Sequence, residues 1–218
     1  TGIAGRGPEI LDGDVTDPGS YRAGLARFAP EAAIHFAGLK AVAEAVANPL
    51  EYYRVNVAGS VALFRELDEI ACNRVVFSSS ATVYGDPDQV PIAEDHPLRP
   101  TNAYGTSKRM VEEVIADWAL ANRDVSAVAL RYFNPVGAHP SARIGEAPGG
   151  IPANLMPFVA QVAQGVRERV SVFGGDWPTP DGTGMRDYIH VMDLAEAHLA
   201  ALDLTGRQTG SVALNVGT

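Results

Sequence analysis

The sequence predicts an α/β protein built on a doubly wound parallel sheet, with a second, smaller lobe. Three observations carry that prediction. Apolar runs at 32–37, 74–78, 125–131 and 212–216 lack polar alternation and read as strands buried on both faces. Amphipathic helical patterns separate them, and this alternation of strand and helix is what a parallel sheet requires. After Pro135 the composition shifts toward Gly, Pro and Ala with little periodicity, marking a crossing into the second lobe. The expected division is 1–134 with 185–218 for the sheet domain, incomplete at its start, and 135–184 for part of the lobe.

Composition narrows the class. The chain has 218 residues, 46% hydrophobic and 20% charged, as in an ordinary soluble globular protein. A net charge of −9 argues against nucleic-acid or membrane-surface binding, though a few local cations still suffice for a phosphate ligand. The single cysteine, Cys72, excludes an internal disulfide. No leader and no apolar run near ~18 residues is evident, so a cytoplasmic location is expected. No metal site, internal repeat or low-complexity segment is expected.

Taken in order, Thr1–Pro8 is glycine-rich and reads as a loop, and Glu9–Leu11 is a short strand candidate. Asp14 either touches a ligand or caps the helix expected from Pro18 to Phe28. The run Ala32–Gly38 is a buried strand running into a glycine that lets a ligand approach the backbone, and Lys40 beyond it could reach an anion. His35 inside that strand reads as a packed core residue rather than a catalyst. Asn48-Pro49 starts a long amphipathic helix with Leu50, Tyr53, Val57, Val61, Phe64, Leu67 and Ile70 on its apolar face. Asn56 lies close to that face, either solvated or in contact with a ligand.

The strand at Arg74–Ser78 ends in the hydroxyl run Ser78-Ser79-Ser80. Gly85–Thr101 is a proline-rich loop, and long loops in compact domains are often functional. A helix then runs from about Ala103 to Asn122, with Val111, Val114, Ile115 and Trp118 inward. The strand at Val125–Arg131 leads into Asn134, which either binds substrate or caps a turn. A helix at Asn154–Gln164, a strand at Val170–Phe173, a helix at Asp193–Asp203 and a last strand at Val212–Val216 complete the reading. Arg186, before the last helix, either clamps a phosphate or pairs with a carboxylate.

Chemistry gathers around Tyr104 and Lys108, four residues apart and so on one helical face. A tyrosine titrates near pH ~10, too high to take a proton at neutral pH. An ammonium one turn away favours the phenolate, and a serine at a neighbouring strand end could relay the proton. Y-x-x-x-K alone occurs by chance in many exposed helices, but here it follows a strand ending in hydroxyls. Active groups in open parallel sheets collect at such carboxyl ends.

Four longer motifs extend the picture: His35–Val42, Phe77–Gly85, Arg131–Pro140 and Asp181–Val191. In this order they resemble the extended short-chain dehydrogenase/reductase family, and within it the enzymes that epimerise a UDP-hexose at C4. The resemblance runs from Leu11 to Gly217 and implies a Rossmann-like domain lacking its first βαβ unit. It implies NAD as cofactor, UDP-glucose and UDP-galactose as substrates, and a homodimer formed by the helices at 49–70 and 103–121. Tyr104 would be the base, Lys108 would hold the nicotinamide ribose, and Ser80 would bond the sugar 4-hydroxyl. Asp14 and Val15 would lie near the adenine. Phe36, Ala37, Gly38, Lys40, Asn56, Ser78 and Phe133 would line the rest of the cofactor. Lys40, Ser80, Ala81, Thr82, Phe133, Asn134, Asn154, Leu155, Ser171, Phe173 and Arg186 would contact the UDP-sugar.

The implied reaction passes through a transient 4-keto sugar that turns over about its diphosphate. The family's 4,6-dehydratases need a carboxylate pair after the serine or threonine, and Ser80-Ala81-Thr82 has none, so dehydration is disfavoured. No glycine-rich pyrophosphate turn precedes Leu11, so the sequence is expected to be a portion of a longer enzyme. The alternatives are another nucleotide-sugar epimerase or dehydratase, or an inactive module that binds only a nucleotide or a partner.

Overall fold

A four-stranded parallel sheet forms the frame, in the order β1 (Ala33–His35), β2 (Arg74–Ser78), β3 (Ser126–Tyr132), β6 (Gly210–Val216). The structure, a computed structural model, describes residues 8–146, 152 and 154–218. Residues 1–7 of the opening loop expected at Thr1–Pro8 and part of the 136–152 stretch therefore lie outside the described residues. Val76 of β2 stands beside Val128 of β3, which stands beside Val212 of β6. Val76 and Val128 are fully buried, each worth roughly 1.5–3 kcal/mol relative to exposure.

Helices cover both faces, which makes the sheet doubly wound. On one face Phe64 and Leu67 of α4 (Gly59–Glu69) and Val111, Ile115 and Ala119 of α5 (Ala103–Ala121) pack on Val75, Phe77, Ala127 and Ala129. On the other, Ala201 of α7 (Val191–Thr205) packs on Val76, Val128 and Leu130. The Asn102 carboxamide caps α5, accepting from Gly105 N at 2.9 Å. A second, two-stranded parallel sheet pairs β4 (Asn134–Val136) with β5 (Tyr188–His190). Helix α6 (Leu155–Ala163) lies where the sequence predicts one.

Several expectations fail for identifiable reasons. Glu9–Leu11 forms no strand, because no other described strand offers it ladder hydrogen bonds. Val170–Phe173 is likewise unpaired, with Val172 and Phe173 exposed. The run at 32–37 yields only β1, an edge strand half-open to solvent. Asp17, not Asp14, caps the turn at Pro18–Ser20, after which α1 spans Arg22–Phe28. Helix α7 begins two residues before Asp193, because the His190 imidazole accepts from Met192 N.

The long helix departs most. A short helix, α2 (Val42–Ala47), precedes it unannounced, and Asn48 makes no side-chain cap before α3 (Pro49–Tyr52). A π-helical turn, Tyr53–Ala58, then joins α3 to α4. The wider turn re-phases the helix, so the buried stripe is Tyr52, Asn56, Ser60, Phe64 and Leu67, while Leu50 is exposed.

Candidate active site

Tyr104 and Lys108 lie in the first turns of α5, both buried, against the carboxyl end of β2. The Lys108 ammonium donates to the Ser78 carbonyl at 2.8 Å and sits 4.8 Å from the Phe77 ring centre and 5.8 Å from that of Tyr104. The Ser78 hydroxyl donates to the Tyr132 phenol at 3.0 Å. Ser80 caps a one-turn helix, Ala81–Val83, with its hydroxyl 3.0 Å from that of Thr82. Strand-end hydroxyls, two phenols and one ammonium thus gather at the carboxyl end of β2.

Electrostatics correct one expectation. Burial pushes the Tyr104 phenol up to about 12; Tyr132 adds to the rise and the Ser80 hydroxyl opposes it. Lys108 does not bring the phenol down, because its ammonium is turned toward the Ser78 carbonyl. Burial also lowers Lys108 itself to about 8, against a raising influence from Glu112. A phenol in this state needs positive charge brought beside its oxygen before it can accept a proton at neutral pH.

Asn56 ties the helix layer to the end of β1. Its carboxamide accepts from Leu39 N at 2.7 Å and donates to Leu39 O and the Ser107 hydroxyl, each at 3.0 Å. Ser107 in turn donates to the Tyr104 carbonyl at 2.7 Å. Gly38 beside Leu39 has φ +154°, and a Cβ there would meet the Asn56 oxygen at 2.9 Å, so only glycine fits this turn. Phe36, Ala37, Gly38 and Lys40 are exposed at the same edge. These features fit the nicotinamide-ribose end of a dinucleotide: an open strand-end turn, an aromatic face at Phe36, and a lysine with two of its three donors unspent at Ser78.

Asp14 holds Thr16 through its backbone N and hydroxyl, both at 2.8 Å, which lowers its pKa. Val15 packs on Gly59 of α4, where a Cβ would stand 2.9 Å from its Cγ1.

Phe133 and Asn134 follow β3 directly into β4, and here a cavity of about 470 Å³ opens. Asn134, Asn154, Leu155, Phe173 and Arg186 line it; Ser171 does not. Asn134 donates to the Asp187 carbonyl, and Asn154 to the carboxylate of Glu146, which also lines the cavity. Arg186 is exposed, its guanidinium bonded to the Met185 carbonyl with no carboxylate partner among the described residues. Sequence reasoning missed Trp177, Glu146 and Tyr188 in this lining, all from segments without periodicity.

It also missed a buried ionic network beside Lys108 and Ser79. The Arg131 guanidinium grips the Glu112 carboxylate through Nε at 3.1 Å and Nη2 at 2.7 Å, and its Nη1 reaches the Tyr84 phenol and the Glu94 carbonyl. Nothing in local spacing pairs these residues, although Glu112 stands one turn past Lys108.

A parallel sheet that gathers a tyrosine, a helical lysine and strand-end serines at its carboxyl edge has the layout of the short-chain dehydrogenases/reductases. The chain belongs to the NAD dependent epimerase/dehydratase family, whose sequence profile matches residues 3–217. A UDP-glucose 4-epimerase of Bacillus subtilis (strain 168) is 52% identical over 216 residues, covering 99% of this chain and 64% of that protein. A human UDP-glucose 4-epimerase is 51% identical over 217 residues, covering 99% of this chain and 62% of its own length. Among solved structures, UDP-glucose 4-epimerase from Bifidobacterium longum in complex with NAD+ and UDP superposes with a TM-score of 0.94. The identity is 47%, and the match covers 99% of this chain and 64% of that one. This chain therefore spans just under two thirds of the length of the relatives it matches.

Proposed function

We propose that the protein is an NAD-dependent epimerase acting at C4 of a UDP-hexose, interconverting UDP-galactose and UDP-glucose through a transient 4-keto sugar. The observation that carries this reading is the burial of Tyr104 and Lys108 on one face of α5 beside Ser80. Tyr132, bonded to Ser78 beside them, leads through Phe133 to the cavity at Asn134. In this reading Tyr104 takes the proton of the sugar 4-hydroxyl and Ser80 holds the oxygen in line. Lys108 keeps its place on the Ser78 carbonyl and turns its remaining N–H groups to the cofactor ribose. Bound beside Lys108 and Tyr104, NAD would supply a reversible hydride acceptor for C4 and positive charge near the phenol.

The remaining cofactor contacts are assigned to Asp14, Val15, Phe36, Ala37, Gly38, Lys40, Asn56, Ser78 and Phe133. Arg186 takes the diphosphate, while Asn134, Asn154, Leu155 and Phe173 enclose the nucleoside, so the hexose itself is free to turn over. Residues 1–134 and 185–218 form the cofactor domain, and 135–184 contribute to the substrate lobe. The stretch Ser80-Ala81-Thr82 lacks the carboxylates that elimination of water needs, which favours epimerisation over dehydration. A cytoplasmic location goes with a nucleotide-sugar substrate; no described helix is long and apolar enough to cross a membrane. The test is direct: full-length protein is denatured and assayed for released NAD, and native protein is assayed on UDP-galactose. Absence of both nucleotide and turnover would reject the reading in favour of a non-catalytic binding module.

A further inference from the structure

We propose that Glu112 is a positioning residue which, through Ser79 and Arg131, fixes Ser80, Tyr104 and Lys108 in the geometry that proton transfer requires. The inference rests on the reading above that those three residues do the chemistry. Glu112 continues the stripe of Tyr104 and Lys108 along α5, each a step of four residues and so one turn apart. Its side chain is only 9% exposed, and that of Arg131 only 7%.

Three elements meet at this carboxylate. Glu112 belongs to α5, which carries Tyr104 and Lys108. The Ser79 hydroxyl, wholly buried next to Ser80 at the end of β2, donates to its Oε1. Arg131, at the end of β3 beside Tyr132, grips both of its oxygens. Beyond Arg131 the bonds run on to Tyr84, whose phenol donates to Asn215 Oδ1 of β6 at 2.6 Å. Every strand end of the four-stranded sheet except that of β1 is therefore joined to one carboxylate.

Stability alone does not account for such a pair. Taking a carboxylate and a guanidinium out of water costs several kcal/mol per ion, and a packed apolar pair of similar volume is often as stable. What the ionic pair adds is direction: each oxygen and each N–H accepts only a narrow set of partner positions. The buried polar atoms without partners among the described residues belong to Asn73, Arg109, Ser126 and His198, so this network is satisfied throughout. A rigid satisfied network behind a site matters because a shift of about 1 Å at reacting groups can cost ~100-fold in rate.

Ser79→Ala tests the inference, because it removes one hydrogen bond while leaving the Arg131–Glu112 pair and every proposed catalytic group in place. The expected result is a roughly tenfold fall in kcat with KM for UDP-galactose within about twofold. Hydrogen–deuterium exchange should quicken at the amides of 80–84 and 104–108. Thr205→Ala is the control: Thr205 is also buried and hydrogen-bonded, to Arg74 and Leu202, but lies by the opposite, amino end of β2, so kcat should hold. Unchanged kcat in Ser79→Ala, unchanged exchange at both segments, or an equal kcat loss in Thr205→Ala would each overturn the proposal. If the wild-type protein shows no turnover, the functional reading fails separately, and the exchange measurement alone decides whether the clamp exists.

Discussion

Tyr104 illustrates how little of a residue's chemistry is set by its neighbour in sequence. Spacing puts Lys108 one turn away, yet the ammonium faces the Ser78 carbonyl and burial leaves the phenol near 12. Removing the hydroxyl should still stop the proposed reaction. In Tyr104→Phe, kcat is expected to fall by roughly 100- to 10,000-fold with UDP affinity nearly intact, measured by coupled turnover and by calorimetry with UDP. An unchanged rate would remove Tyr104 from the mechanism. His35 gives a second residue-scale prediction. It is a core residue, as expected, its Nε2 2.8 Å from the Ser60 hydroxyl and its ring edge-on to Phe64.

Burial, aided by Lys108, lowers the His35 pKa from 6.5 to about 4. The fold thus favours neutral imidazole, while the unfolded chain takes up a proton below about pH 6.5. Stability from this group is full above that pH and is lost as pH falls through 4, by about 3 kcal/mol in all. Urea melts between pH 4 and 7 should show the slope, and His35→Gln should flatten it.

At the scale of elements, legibility follows the kind of group that is buried. Strands β2 and β3 and helices α5 and α7 were readable because apolar side chains recur where they pack on one another, as at Val111, Ile115 and Ala119 of α5 and Ala201 of α7. The stripe on the 49–69 helix was legible at Val57, Phe64, Leu67 and Ile70, which pack on the core, but not at Asn56 and Ser60, which occupy buried positions that pattern reading reserves for apolar residues. Their partners, Leu39, Ser107 and His35, are distant in sequence and leave no local signal. Strands β4 and β5 are three residues each, too short for any periodicity. The Tyr104–Lys108 pair was legible in the candidate site; the Arg131–Glu112 network was not, since charge pairing across elements has no spacing rule.

An element-scale prediction concerns the end of α4. Ala71 holds φ +57° while Cys72 N bonds back to Leu67 O at 2.9 Å, the wrap that glycine makes most easily. Ala71→Gly relieves a left-handed strain of about 1–2 kcal/mol, offset in part by the freer unfolded chain, for a net gain near 0.5–1 kcal/mol. A rise in Tm by calorimetry supports this; a fall contradicts it.

For the whole molecule, the open question is what covers the outer side of α4 and α5. Val61, Phe64, Val114 and Trp118 line a mostly apolar groove there, edged by Arg65 and Asp68. Trp118 stacks on Phe64 with ring centres 5.6 Å apart and donates to Asp68 at 3.0 Å. We propose that this face meets its counterpart on a second copy, giving a four-helix contact between protomers formed by the 49–70 and 103–121 helices. Light scattering should return twice the chain mass, and Val114→Glu, which puts charge in the groove, should return one. A monomeric wild type would end the proposal.

The wide turn at Tyr53–Ala58 links these scales. An ordinary helix spends 3.6 residues per circuit; this one spends more at a single place, then resumes its usual winding. That surplus lets one continuous rod aim a carboxamide inward at the Leu39 turn and still carry Ser60, Phe64 and Leu67 inward farther along. Shortening the stretch by one residue would tighten the coil and swing everything after it by about 100°. The grip on the glycine turn and the inward stripe of α4 would then fall out of register, so one piece of screw pitch sets both.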